Sequence, residues 1–72
     1  MNEIYIIMKI EEDMEFYKAF STKEKAMNCA KKYIESLCFV NGWEEDIPTY
    51  YEQLEEEEIV DDILMIIEAN VE

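Results

Sequence analysis

The chain has 72 residues, half of them apolar and 35% charged, and 19 acidic residues against six lysines give a formal net charge of −13. This length suits one small domain, residues 1–72, and the large apolar share excludes a disordered acidic tail. Histidine and arginine are absent. Because the commonest general base and the bidentate anion clamp are missing, we expect no enzymatic activity.

The first twenty residues have the pattern of a β-hairpin. Residues 3–10 (EIYIIMKI) alternate with a period of two and are rich in isoleucine, which predicts a strand. Residues 11–14 are polar and suit a turn, and residues 15–20 (EFYKAF) form a short aromatic stretch. This stretch is interpreted as the return strand.

A helix is predicted next. Residues 21–24 (STKE) fit a capping box in which Ser21 accepts a hydrogen bond from the Glu24 amide. Apolar residues then recur at helical spacing, at Ala26, Met27, Ala30, Tyr33, Ile34, Leu37 and Cys38. We expect the helix to end near Val40, where Asn41-Gly42 supplies a left-handed stop.

The second half contains one clear helix start and one ambiguous segment. Pro48 suits the first turn of a helix that has Asp46 or Ile47 near its cap. Residues 61–72 (DDILMIIEANVE) fit both the two-residue period of a strand and the 3.6-residue period of a helix. A strand would place one set of residues on a single face: Ile63, Met65, Ile67, Ala69 and Val71. A helix would join Ile59, Val60, Ile63, Leu64 and Ile67. The short run rich in isoleucine and valine favours the strand.

The predicted order is therefore β-β-α-α-β, in the α+β class. A small antiparallel sheet of about three strands would carry its helices packed on one face. Apolar residues fall on both faces of the first strand, as Ile4 and Ile6 alternate with Tyr5 and Ile7. Strands of this kind need cover on both sides. We expect the helices to bury one side of the sheet and another copy of the chain to bury the other side, which makes the protein a homodimer.

The charge is concentrated in one part of the chain. Residues 1–32 hold all six lysines and six acids, whereas residues 33–72 hold thirteen acids and no base. We therefore expect the acids of the second part to lack local counter-charge, and like charges three or four positions apart destabilise a helix. A charge run usually forms a solvated surface, but this one weakens its own fold, which indicates a function. The candidate partner-binding acids are Glu44, Glu45, Asp46, Glu52, Glu55, Glu56, Glu58, Asp61 and Asp62.

Three aromatic residues, Trp43, Tyr50 and Tyr51, flank these acids. They either pack in the core or anchor a partner, since Trp and Tyr often dominate interface energies. Trp43 and Tyr51 are the candidate anchors.

Other ligand classes fit the sequence less well. EF-hand spacing is missing and consecutive acids on a helix diverge, so we expect no metal and no cofactor. The longest apolar run, residues 63–67, is far too short to span a bilayer, and a strongly negative chain is repelled by nucleic acid and by anionic membranes. A basic protein in the cytoplasm is the expected partner.

Carboxylates at positions 52, 55 or 56, and 58 recur every 5–6 Å or so along a helix, which can imitate the phosphates of a duplex. In size, acidity and charge layout, the segment from Glu44 to Glu72 resembles small phage-encoded DNA mimics. These inhibit host DNA-binding proteins such as the nucleoid protein HU, nucleases or RNA polymerase. The resemblance implies a basic host DNA-binding protein as partner, in the host cytoplasm.

Two other functions compete with DNA mimicry. In the first, a non-catalytic adaptor or structural dimer binds a protein through its sheet around Tyr5, Ile7 and Phe16, and the charge serves solubility. In the second, the protein is a Ca²⁺-dependent element.

Overall fold

The computed structural model describes residues 2–10 and 13–71, with side chains for residues 3–10 and 13–70. The helices and strands within these ranges follow the chain in this order: β1 (Asn2–Lys9), β2 (Glu15–Phe20), α1 (Lys23–Asn41), a 3-10 turn (Glu44–Asp46), α2 (Ile47–Glu57), β3 (Ile59–Val60) and β4 (Leu64–Val71). The α+β class is confirmed. Two residues of the predicted turn, Glu11 and Glu12, lie outside the described ranges, as does Glu72.

The four strands form one antiparallel sheet in the order β2-β1-β4-β3. The chain's last segment is a strand, as its composition favours, and it pairs with the whole of β1, with Ile66 opposite Ile7. Strand β3 was not predicted, so the expected count of three is one too low. Its two residues are too few to show any period.

Helix α1 begins one residue later than predicted. Thr22 is the N-cap: its backbone is extended, and its Oγ1 accepts a hydrogen bond from the Lys25 amide at 3.2 Å. The capping box at Ser21 is therefore wrong. The predicted end is confirmed, since Asn41 is the last helical residue and Gly42 follows in the left-handed conformation at φ 73°.

Both helices pack against the same side of the sheet. Helix α1 contacts β1 and β2, and α2 contacts α1 and β3. The core between these layers takes residues from both helices and three strands, and its buried members are Ile7, Ala26, Ala30, Ile34, Cys38, Leu54, Val60, Ile63, Leu64 and Ile66. The small side chains of Ala26 and Ala30 allow α1 to approach the sheet closely.

The opposite side of the sheet, here called the open face, follows from the strand register. Cross-strand partners share a face, so the buried pair Ile7 and Ile66 marks the covered side. A bulge opposite Ile7 and Met8 shifts β2 by one residue, which brings Phe16 onto the other side. Among the residues with described side chains, the open face consists of Ile4, Ile6, Met8, Phe16, Ala19, Ile59, Met65, Ile67 and Ala69.

This placement corrects the contact residues of the adaptor hypothesis. Ile7 is fully buried beneath the helices, and Tyr5 packs against the same core. Of the three residues named for a sheet-face contact, only Phe16 lies on the open face. Alternation in the sequence separates the two sides of a strand but does not say which of them the helices cover.

Candidate acidic interaction surface

The outer side of α2 carries part of the candidate surface. Asp46 is the N-cap and Pro48 lies in the first turn, as predicted. Leu54 is fully buried. At about 100° per residue, Glu52 and Glu56 lie on the side of the helix opposite Leu54, and both are exposed. Two carboxylates one turn apart therefore point away from the core.

Two of the candidate acids are paired with lysines of α1. Lys31 Nζ lies 3.0 Å from Glu55 Oε1, and Lys23 Nζ lies 2.6 Å from Glu58 Oε1. The hydrogen bond to Glu58 raises the pKa of Lys23. The expectation that the second part of the chain lacks local counter-charge is therefore wrong in part, because α1 and α2 lie side by side and join residues distant in sequence. Glu55 remains exposed, whereas Glu58 is half-buried.

The remaining candidate acids lie in two turns that approach the same aromatic residue. Glu44, Glu45 and Asp46 form the 3-10 turn before α2, and all three are exposed. Asp61 and Asp62 are exposed in the connection from β3 to β4. The pKa of Tyr50 is raised by burial and then by the charges of Asp46 and Asp61. Carboxylates from both turns therefore act on one phenol.

An open cavity of about 380 Å³ lies between α1, α2 and the β3–β4 connection. Its lining consists of Leu37, Asn41, Trp43, Tyr50, Asp61, Asp62 and Ile63. Two aromatic rings and two carboxylates are the groups that hold a lysine or arginine side chain, through cation–π contact and charge-assisted hydrogen bonds. Trp43, Asp61 and Asp62 were among the residues predicted from the sequence, whereas Tyr50 was not chosen. Three separate elements assemble the cavity, so its lining cannot be recognised from any one segment of the sequence.

Trp43 and Tyr51 differ in how available they are to a partner. Trp43 is exposed at the cavity. Tyr51 is half-buried: its hydroxyl donates a hydrogen bond to Glu35 at 2.6 Å, and Lys31 Nζ lies 5.3 Å from the centre of its ring. Burial and this hydrogen bond raise the pKa of Tyr51 to about 12. Trp43 is therefore the more accessible of the two, and partner contacts at both residues stay predictions.

The acidic surface is defined here as the exposed carboxylates of the outer side of α2 and the two turns. Its members are Glu44, Glu45, Asp46, Glu52, Glu55, Glu56, Asp61 and Asp62. Glu58, also predicted, is paired with Lys23 at the far end of α2.

Neither a metal site nor a membrane span is found within residues 2–10 and 13–71. No group of three or more acids or cysteines there is arranged to hold a metal ion, and no helix in those ranges is long and apolar enough to cross a bilayer. No protein-family model matches the chain, and comparisons with curated proteins and with solved structures find no significant similarity.

Proposed function

We propose that this protein is an acidic DNA mimic that binds the DNA-binding surface of a basic host protein and competes with DNA for it. The charge density of α2 carries the proposal. The six residues from Glu52 to Glu57 include four glutamates and occupy about 9 Å of helix axis, or about one charge per 2.3 Å. A DNA duplex carries about one charge per 1.7 Å. Lys31 neutralises one of the four, which leaves about one net charge per 3 Å, comparable with the roughly 3.4 Å per charge of a single DNA strand.

The cavity beside Trp43 gives such a mimic a means of choosing its partner. A charge array alone binds any basic surface, whereas a shaped pocket binds one arrangement of partner side chains more tightly than others. We assign to Trp43, Tyr50, Asp61 and Asp62 the binding of a lysine or arginine from the partner. Their rings would cover the aliphatic stem, and their carboxylates would accept hydrogen bonds from its cationic end.

Inhibition follows from occupancy. Lysines and arginines that bind phosphates would instead bind the acidic surface, so the partner cannot hold DNA at the same time. The large net charge would accelerate encounter with a basic protein, and added salt would weaken the complex. The nucleoid protein HU, in the cytoplasm of a phage-infected bacterium, is the first partner to test.

The function is tested by affinity capture with two forms of elution. Immobilised protein is exposed at low salt to a bacterial lysate freed of nucleic acid, then washed with duplex DNA and afterwards with high salt. We expect DNA-binding proteins to be retained and to be released by the DNA. Retention of no DNA-binding protein would contradict the proposal.

A matched pair of variants separates the acidic surface from net charge alone. The first variant combines Glu52→Gln, Glu56→Gln and Asp62→Asn. The control combines Asp13→Asn, Glu15→Gln and Glu24→Gln, three exposed acids elsewhere. Each loses three negative charges, which changes the net charge from −13 to −10.

We expect the first variant to lose retention and the control to keep it. Equal retention by the two variants would contradict a localised DNA mimic. That result would instead agree with the adaptor hypothesis, in which the charge serves solubility.

A further inference from the structure

We infer that the open face of the sheet binds the open face of a second copy, so that the protein is a homodimer with the two sheets in contact and the helices outside. Within residues 3–10 and 13–70, whose side chains are described, all nine side chains of the open face are apolar. The charged residues of the described strand pairs all have the opposite register and fall on the helix side, namely Glu3, Lys9, Glu15, Lys18 and Glu68. A chain in which 35% of residues are charged thus keeps the described part of this face free of charge.

Several large apolar side chains of the open face are exposed to solvent. Phe16 is 59% exposed, Ile59 43% and Ile67 37%. The 24 residues of the four strands span a flat footprint of about 400 Å² at ordinary strand spacings. The largest apolar patch of a typical soluble monomer covers roughly 300–600 Å² and is often functional, and the open face falls in this range.

The placement of charge is compatible with a second copy as the occupant. Two protomers that each carry −13 repel one another wherever their acidic surfaces approach. The acids of α2 point away from the sheet, so contact between open faces leaves them on opposite outer sides of the dimer. An apolar face is self-complementary across a twofold axis, and two sheets pack well at about 10 Å.

The size of the contact predicts the strength of the dimer. Two footprints of about 400 Å² bury about 800 Å² in total, which is below the roughly 1,200 Å² of stable specific interfaces and typical of weak, transient ones. We therefore expect a reversible dimer with a dissociation constant in the micromolar range. Added salt should tighten it, because screening reduces the repulsion between protomers. This is opposite to the salt effect expected for the basic partner, so the two associations are tested independently.

Sedimentation velocity over micromolar to millimolar concentrations tests the dimer. The wild type should shift from 8.7 kDa to twice that mass, at lower concentration when salt is raised. Ile67→Lys should weaken association about tenfold or more, because it places a charge in the apolar contact. It also lowers the net negative charge, so a loss of dimer cannot come from greater repulsion.

Val40→Lys is the matched control, because Val40 is 85% exposed near the end of α1 and makes the same charge change. It should leave the dimer unchanged. If circular dichroism shows that Ile67→Lys is unfolded, Phe16→Ser at the edge strand replaces it and should also weaken the dimer.

Three results would overturn the dimer. The first is a wild type that stays monomeric throughout, as expected if the open face serves a different protein. The second is a dimer that resists the folded open-face variant. The third is a dimer that Val40→Lys disrupts equally, which would place the contact at the exposed end of α1.

Discussion

Lys31 Nζ of α1 lies 3.0 Å from Glu55 Oε1 of α2, across 24 positions of sequence. The same ammonium group lies over the ring of Tyr51. One lysine therefore joins the two helices and neutralises one carboxylate of the acidic surface. Such a partly exposed pair contributes about 1 kcal/mol or less to folding, so its removal should change binding more clearly than stability.

Lys31→Met should tighten binding to a basic partner. The substitution frees Glu55 and raises the negative charge along α2, so affinity for the protein retained by affinity capture should increase severalfold at low salt. Isothermal titration calorimetry measures the change. Lys25→Met is the control, because Lys25 is exposed in the first turn of α1 and makes the same charge change. Equal gains from both variants would show that only total charge matters.

Thr22→Ala should lower the free energy of unfolding by about 1 kcal/mol. It removes the Oγ1 that accepts the Lys25 amide at the start of α1, and loss of a threonine N-cap typically has this effect. Urea denaturation followed by circular dichroism measures the difference. Ser21→Ala should be close to neutral. A larger loss at Ser21 than at Thr22 would restore the capping box that the sequence predicted.

Gly42→Ala should destabilise the fold by about 1 kcal/mol through backbone strain alone. Gly42 has φ +73°, and an added Cβ would meet no atom within 4 Å. Gly42→Asn should lose less, because asparagine adopts the left-handed conformation more readily. Thermal and urea unfolding of the two variants measure this order. Equal losses would indicate that the left-handed backbone is not the cause.

Stability should fall as pH rises from about 10 to about 12. The pKa of Tyr51 is raised from 10.0 to about 12, first by burial and then by its hydrogen bond to Glu35. Within this window the unfolded phenol loses its proton while the folded one keeps it, so unfolding releases a proton and becomes more favourable with pH. Below pH 10 Tyr51 is protonated in both states, and its contribution is fully present.

The comparison of wild type with Tyr51→Phe isolates this contribution from lysine titration in the same range. Urea unfolding at several pH values should show a steeper decline for the wild type, and absorbance titration should lose one late-titrating phenol in the variant. Parallel stability curves would contradict a raised pKa at Tyr51.

Local chemistry made much of this fold predictable. Alternation in residues 3–10 and the short aromatic stretch at 15–20 predicted two strands, Pro48 marked the start of α2, and Gly42 marked the end of α1. These signals lie within a few residues of the structure they specify. The order of elements along the chain, apart from β3, and the α+β class followed from them.

What the sequence did not reveal depends on contacts between distant segments. The pairing of Lys31 with Glu55 requires the two helices to lie side by side, and the cavity at Tyr50 requires three elements to meet. The covered side of β1 depends on where the helices pack, which is why Ile7 was placed on an accessible sheet face. The choice of Thr22 over Ser21 as N-cap depends on a single backbone conformation.

The most direct test of DNA mimicry asks whether one DNA-binding protein can hold DNA and this protein together. A labelled duplex bound to the captured partner, with HU as the first candidate, is titrated with this protein while fluorescence anisotropy is recorded. The account predicts a fall to the anisotropy of free duplex, at concentrations that increase with salt and with the Glu52, Glu56 and Asp62 substitutions. A stable ternary complex that keeps the duplex bound would contradict it.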